Sequence, residues 1–138
     1  MATAANYVII EGDITRFLGD GVTDYEKTFD TPDYNGGDAV LSLMVQGLTA
    51  ATSTVEVELN GLKIGDIFPY RYASESDRDE VSTHWFTQTM IAGSNVLEAQ
   101  SPNTLRLTAV DYPENTPPTD VYDNMAVRGI VLSYKVEV

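Results

Sequence analysis

One stretch constrains the fold of this chain more than any other. In Val55-Glu56-Val57-Glu58-Leu59-Asn60-Gly61-Leu62-Lys63-Ile64-Gly65, apolar and polar residues alternate, meet an Asn-Gly pair, and continue. A period of two puts Val55, Val57 and Leu59 on one side of an extended strand and Glu56 and Glu58 on the other. Asn60-Gly61 suits the positive φ angles that a two-residue hairpin turn demands. The segment therefore predicts an antiparallel hairpin with one face buried and one in water.

The rest of the chain follows the same rule of short extended runs broken by turn residues. Candidate strands are Tyr7 to Ile10, Tyr25 to Phe29, Ala39 to Gln46, Thr54 to Asn60, Leu62 to Ile67, Thr83 to Met90, Thr104 to Val110 and Met125 to Val138. About eight short strands without a sustained helical period predict an all-β chain, a single antiparallel β-sandwich over residues 1–138. Ile130, Leu132, Tyr134, Val136 and Val138 share one face of the last strand, whose length places it in the middle of a sheet. Trp85, within a strand, is assigned to the core, and Asn103 to a turn. The segments 73–80 and 112–120 are long for hairpin loops, and long loops on a rigid sandwich are where binding surfaces usually sit.

Charge restricts the partners. Twenty-one carboxylates face 8 basic residues, for a net charge of -13, and the lysines are Lys27, Lys63 and Lys135 only. Nucleic acid and anionic membrane surfaces are bound by neutralising phosphates with Lys and Arg, so neither is expected as a partner. A surface so rich in acid keeps its hydration in concentrated salt, which suits a high-salt habitat as well as plain solubility. No apolar run approaches the roughly 20 residues of a membrane helix, and Met1-Ala2-Thr3-Ala4-Ala5-Asn6 lacks the features of a signal peptide. The expectation is synthesis in the cytoplasm. With Cys 0, disulfides and thiolate chemistry are excluded.

Catalysis requires a nucleophile, a base and an electrostatic stabiliser that converge. His84 is the only histidine, lies in a predicted strand, and is accompanied by no Gly-x-Ser-x-Gly elbow. A glycosidase pair would need two facing carboxylates, a condition that 21 acids do not narrow. The expectation is a chain that is not an enzyme. Calcium favours several oxygens clustered in a loop. Asp30, Asp33 and Asp38 flank Gly36-Gly37, and Asp77, Asp79 and Glu80 crowd a second loop, the better candidate for a metal. Neither has the fixed spacing of an EF-hand, so no cofactor is required and calcium is the ion such a loop would take. Tyr70, Tyr72, Tyr112 and Tyr122 lie in or beside loops, where aromatic rings stack on sugars or make protein contacts.

The Asn60-Gly61 hairpin with Gly65, then Trp85-Phe86, then Asn103-Thr104-Leu105-Arg106-Leu107 and the long last strand resemble the galactose-binding-like jelly-roll superfamily over roughly residues 38–138. The resemblance implies a jelly-roll sandwich, a fold shared by carbohydrate-binding modules, accessory domains of glycosidases and structural pieces of large assemblies. Asn6-Tyr7-Val8 and Phe17-Leu18-Gly19 also look like segments of small acidic proteins of halophilic archaea. Two functions follow as expectations. The first is a structural subunit of a larger particle, a virion capsid decoration or tail component, acting through self-association and protein contacts. The alternative is a carbohydrate-binding module that uses the aromatic loops, with calcium holding them.

Overall fold

The hairpin forms as its alternation dictates. In the computed structural model, which describes residues 2–19, 21–48, 54–69, 83–110 and 124–137, β5 (Val55–Leu59) and β6 (Leu62–Ile67) pair antiparallel. Leu59 stands opposite Leu62, and the two residues between them have positive φ, 53° at Asn60 and 81° at Gly61. Val55, Val57 and Leu59 are buried while Glu56 and Glu58 point away from the core.

Six further pairings complete two antiparallel sheets from elements whose inward residues are apolar. Sheet 2 runs in the order β3 (Asp24–Phe29), β8 (Asn103–Ala109), β5, β6. Sheet 1 runs β1 (Thr3–Glu11), β9 (Met125–Glu137), β4 (Ala39–Gln46), β7 (Phe86–Ala92). The short β2 (Arg16–Leu18) continues the β1 side of β9, beside Met125 to Val127. The fold is thus all-β, a sandwich of two antiparallel sheets with nine strands and no helix among the described residues. Leu41, Leu43, Val45, Leu105, Leu107, Val127, Ile130 and Leu132 fill the space between the sheets, each 0 % exposed.

Several expectations are corrected. A ninth strand exists because β2 needs only three residues to extend an edge, too few to carry a periodic signal. His84 and Trp85 precede β7 instead of lying within a strand; His84 is exposed, and Trp85 is half-buried outside the core, with the Arg128 guanidinium carbon 4.1 Å from its ring centroid. Arg128 is thereby held on a sheet surface by a cation–π contact.

Asn103 is the first residue of β8, wholly buried, and not a turn residue. Its Oδ1 accepts from the Glu98 N–H (2.7 Å) and from Asn60 Nδ2 (2.9 Å). Its Nδ2 donates to Thr31 Oγ1 (3.0 Å) and to the Glu98 carbonyl (3.1 Å). Asn60 Nδ2 also donates to the Val96 carbonyl, and Asn60 Oδ1 accepts from the Thr104 N–H. A buried polar group is tolerated when its bonding capacity is met, and here one amide ties the hairpin turn to two other connections.

The central strand β9 changes parity in its middle. Val127 and Ile130 both face the core although they are three apart, because a bulge falls between Arg128 and Val131 opposite Ser42 and Met44 of β4. Gly129 takes φ 58° there and donates its N–H to the Gly12 carbonyl at 2.9 Å. A Cβ on Gly129 would come within 3.1 Å of Met44 Sδ, so both backbone angle and space require glycine.

Candidate functional site

Tyr70, Tyr72, Tyr112, Tyr122, Asp77, Asp79 and Glu80 lie outside the described residues. Of the other acidic cluster, Asp30, Asp33 and Asp38 are all exposed, and the fold does not gather them: among the described residues no group of three or more His, Asp or Glu side chains forms a metal site. Asp38 instead accepts a 3.3 Å hydrogen bond from Ser94 Oγ.

Asp33 borders an open depression of about 310 Å³ together with Tyr34, Asn35 and Glu137, at the end of sheet 1 where β9 finishes. That volume is at the small end of what ligand sites occupy. The walls are fixed by the fold. Tyr34 bridges to Val136, and the Asn35 N–H donates to the Lys135 carbonyl at 2.9 Å. The Tyr34 hydroxyl donates to the Gly37 carbonyl and accepts from the Asn95 N–H, while its ring meets Tyr134 edge-on with centroids 6.4 Å apart. Asn35 Oδ1 accepts from the Gly37 N–H, which turns the amide of that side chain. Asp33, at φ 63°, and Glu137 form no ion pair with a described residue, so their oxygens remain available as acceptors. Burial pushes the Tyr134 phenol above its ordinary pKa; its hydrogen bond with Asn6 works against that and the Asp33 charge adds to it.

A second acidic feature serves architecture. Glu11, 4% exposed, receives Arg16 from β2 and Lys27 from β3, the latter at 3.2 Å, so one carboxylate joins the two sheets at their edge. Burial raises its pKa, but the hydrogen bonds and charges of Arg16 and Lys27 outweigh this and hold it below the usual carboxylate value. Tyr25 Oη is buried close by without a hydrogen-bond partner among the described residues, and desolvation together with the Glu11 charge moves its pKa up to about 12.

The two outer sheet faces differ in charge. Across sheet 2 one row reads Asp24, Thr108, Glu56, Asp66 and the next Glu26, Arg106, Glu58, Lys63. Lys63 pairs with Glu56 and Asp66, and Arg106 with Asp24. Across sheet 1 the corresponding rows read Tyr7, Ser133, Val40, Ile91 and Ile9, Val131, Ser42, Thr89, followed by Arg128, Met44, Thr87 and by Phe17, Ala126, Gln46. Glu137, opposite Thr3 at one end, is the only carboxylate on this face among the described residues. Tyr7 is 64% exposed, Ile9 58%, Phe17 70%, Val40 42% and Ile91 63%.

Neither the depression nor this face was drawn from the sequence. Asp33-Tyr34-Asn35 reads locally as a break between strands, and the signal that marks it is Tyr34, a large ring in a turn that must pack somewhere. The sheet 1 face was hidden because Tyr7-Val8-Ile9-Ile10 is apolar on both sides of the strand, and the parity change at Gly129 moves Val131 outward.

No family model matches the chain, and no curated protein matches it in sequence. Solved structures do resemble it. A family 35 carbohydrate binding module from Clostridium thermocellum is matched over 93% of this chain and 97% of its own, at 13% identity and a TM-score of 0.51. BuGH86 in complex with neoagarooctaose is matched over 99% of this chain, at 13% identity and a TM-score of 0.55, and dimeric latent PorU from Porphyromonas gingivalis over 99%, at 8% identity and 0.56. The chain spans 20% of the length of the BuGH86 chain and 13% of that of PorU. At these identities the likeness establishes the fold, a jelly-roll-type β-sandwich of the kind found in carbohydrate-binding modules.

Proposed function

We propose that this chain is a glycan-binding module that holds sugar hydroxyls at the Asp33–Asn35 and Glu137 depression. The observation that carries the reading is the end-to-end likeness to the family 35 carbohydrate binding module, a match of nearly equal lengths. The depression adds suitable chemistry. Two carboxylates with no ion pair among the described residues and an oriented amide offer acceptors and donors to hydroxyl groups, and the backbone bonds of Asn35 and Tyr34 hold them in place. Tyr70, Tyr72, Tyr112 and Tyr122 are proposed as the stacking partners that this depression does not itself provide, and Asp77, Asp79 and Glu80 as a calcium-holding loop.

Titration calorimetry against a panel of soluble polysaccharides, with calcium and with chelator, tests the reading. Saturable binding that is lost in the Asp33→Ala/Glu137→Ala variant is expected. No binding to any member of the panel would sink the function, while binding indifferent to both substitutions would move the site elsewhere. Self-association, the other expectation for this chain, has one feature in its favour, the apolar outer face of sheet 1.

A further inference from the structure

We infer that two copies of this chain pair face to face through the outer surface of sheet 1. Carboxylates are spread unevenly over the two outer faces. A chain of net charge -13 resists its own association, because like charges brought close repel. The outer face of sheet 2 holds Asp24, Glu26, Glu56, Glu58 and Asp66, so stacking there would set five carboxylates against five. Among the described residues the outer face of sheet 1 holds one carboxylate, Glu137, at one end, with Lys135 beside it. Pairing through sheet 1 turns the acidic faces away from each other and puts the sandwich between them.

What the face presents in place of charge is apolar. Five large side chains, Tyr7, Ile9, Phe17, Val40 and Ile91, are each more than 40% exposed on this one surface, where they adjoin the half-buried Val131 and Met44. A contiguous apolar patch of this extent on a folded domain marks a contact surface. Ser42, Thr87, Thr89 and Ser133 interleave with it and supply hydroxyls at a low desolvation cost relative to charges. Strand spacings of about 4.8 Å and about 3.3 Å per residue give the four-strand face a projected area of roughly 500 Å². Two such faces together reach about 1,000 Å², the lower bound for a specific interface, so the pair is a weak one.

The few charges on the face oppose a second copy far less than those of sheet 2. Arg128, held over Trp85 and without a carboxylate among the described residues, lies toward one end of β9, and the exposed Lys135 lies beside Glu137 toward the other, so the face carries two cations and one carboxylate. In an isologous contact the same rows of both copies meet, and on a body of net charge -13 this is the face whose pairing brings no acidic surfaces together.

Sedimentation equilibrium of the whole chain, from low micromolar to near-millimolar and in low and molar sodium chloride, tests the inference. The mass is expected to rise toward two copies with concentration, and more readily in molar salt, which screens the repulsion between the two acidic bodies. Ile9→Glu/Ile91→Glu changes only exposed positions; with an unaltered circular dichroism spectrum it is expected to stay monomeric throughout. Glu56→Lys/Glu58→Lys, on the opposite face, is expected to remain dimeric. A wild-type chain that is monomeric at the highest concentration in molar salt overturns the proposal. So does a dimer that survives Ile9→Glu/Ile91→Glu, or polysaccharide binding that this variant abolishes, which would make the face a glycan site. The glycan reading of the Asp33 depression stands or falls separately, because neither pair of substitutions touches it.

Discussion

Replacing Asn103 by alanine isolates the one fully buried side-chain amide among the described residues and asks what it contributes. The substitution strands the Glu98 N–H, whose bond to Asn103 Oδ1 at 2.7 Å is its hydrogen bond here, and an unsatisfied buried donor costs about 1–3 kcal/mol. Asn60 Nδ2 keeps the Val96 carbonyl and Thr31 Oγ1 keeps the Glu98 carbonyl, so these partners lose strength without being orphaned. The removed atoms leave a small void, worth about 1 kcal/mol. The sum is about 2–4 kcal/mol, a substantial part of the 5–15 kcal/mol typical of a folded domain, and for a chain of this size a fall in Tm of about 7–14 °C. Urea and thermal unfolding followed by circular dichroism measure it. Asn103→Asp sharpens the test. Its carboxylate keeps the acceptor, but sets a second oxygen against Thr31 Oγ1 and the Glu98 carbonyl at a wholly buried position, which favours the protonated acid. Its loss relative to wild type is therefore expected to shrink as pH falls. If Asn103→Ala cost less than 1 kcal/mol, the network would be an ornament of the fold and the reasoning would be wrong.

Two other perturbations follow from the same geometry. Gly129→Ala forces a side chain onto φ 58° and against Met44, with an expected loss of about 1–3 kcal/mol in urea unfolding, whereas Gly61→Ala, where the added Cβ meets nothing, is expected to cost less. Because the folded-state pKa of Glu11 lies below its unfolded value, its contribution is present above the ordinary glutamate pKa of about 4.3 and is lost as pH falls through the lowered one. Glu11→Gln should accordingly lower stability at neutral pH and flatten the acid limb of the stability curve; an unchanged acid limb would show that the ionic bridge between the sheets carries no weight.

The legible parts of this fold are those where one strand face is buried and the other is not. Val55 to Leu59 reads correctly because glutamate separates its core residues, and Ala39 to Gln46 because Ser42 and Gln46 mark the outer side that Val40 and Met44 share. Legibility fails where both faces are apolar, as at the end of β1, and where a bulge resets parity, as at Gly129. It also fails where a polar residue is buried by long-range bonds: Asn103 looks like a turn residue locally, and its partner Thr31 is 72 positions away. Trp85 misled for a related reason, since size suggests the core while its partner Arg128 lies on a neighbouring outer position. The depression depends on Tyr34 meeting Val136 across most of the chain, a relation that no local pattern encodes.

Thr3 lies opposite Glu137, and Asn6 opposite Tyr134. The longest pairing in the molecule therefore joins its two extremities, and it cannot begin to form until almost every intervening residue has been fixed or looped out. Loop-closure entropy makes such contacts late and slow, which places this chain among sandwiches that fold in milliseconds to seconds. Until β1 arrives, β9 exposes one backbone edge, and the acidity of the chain then guards a half-finished sheet against joining its neighbours.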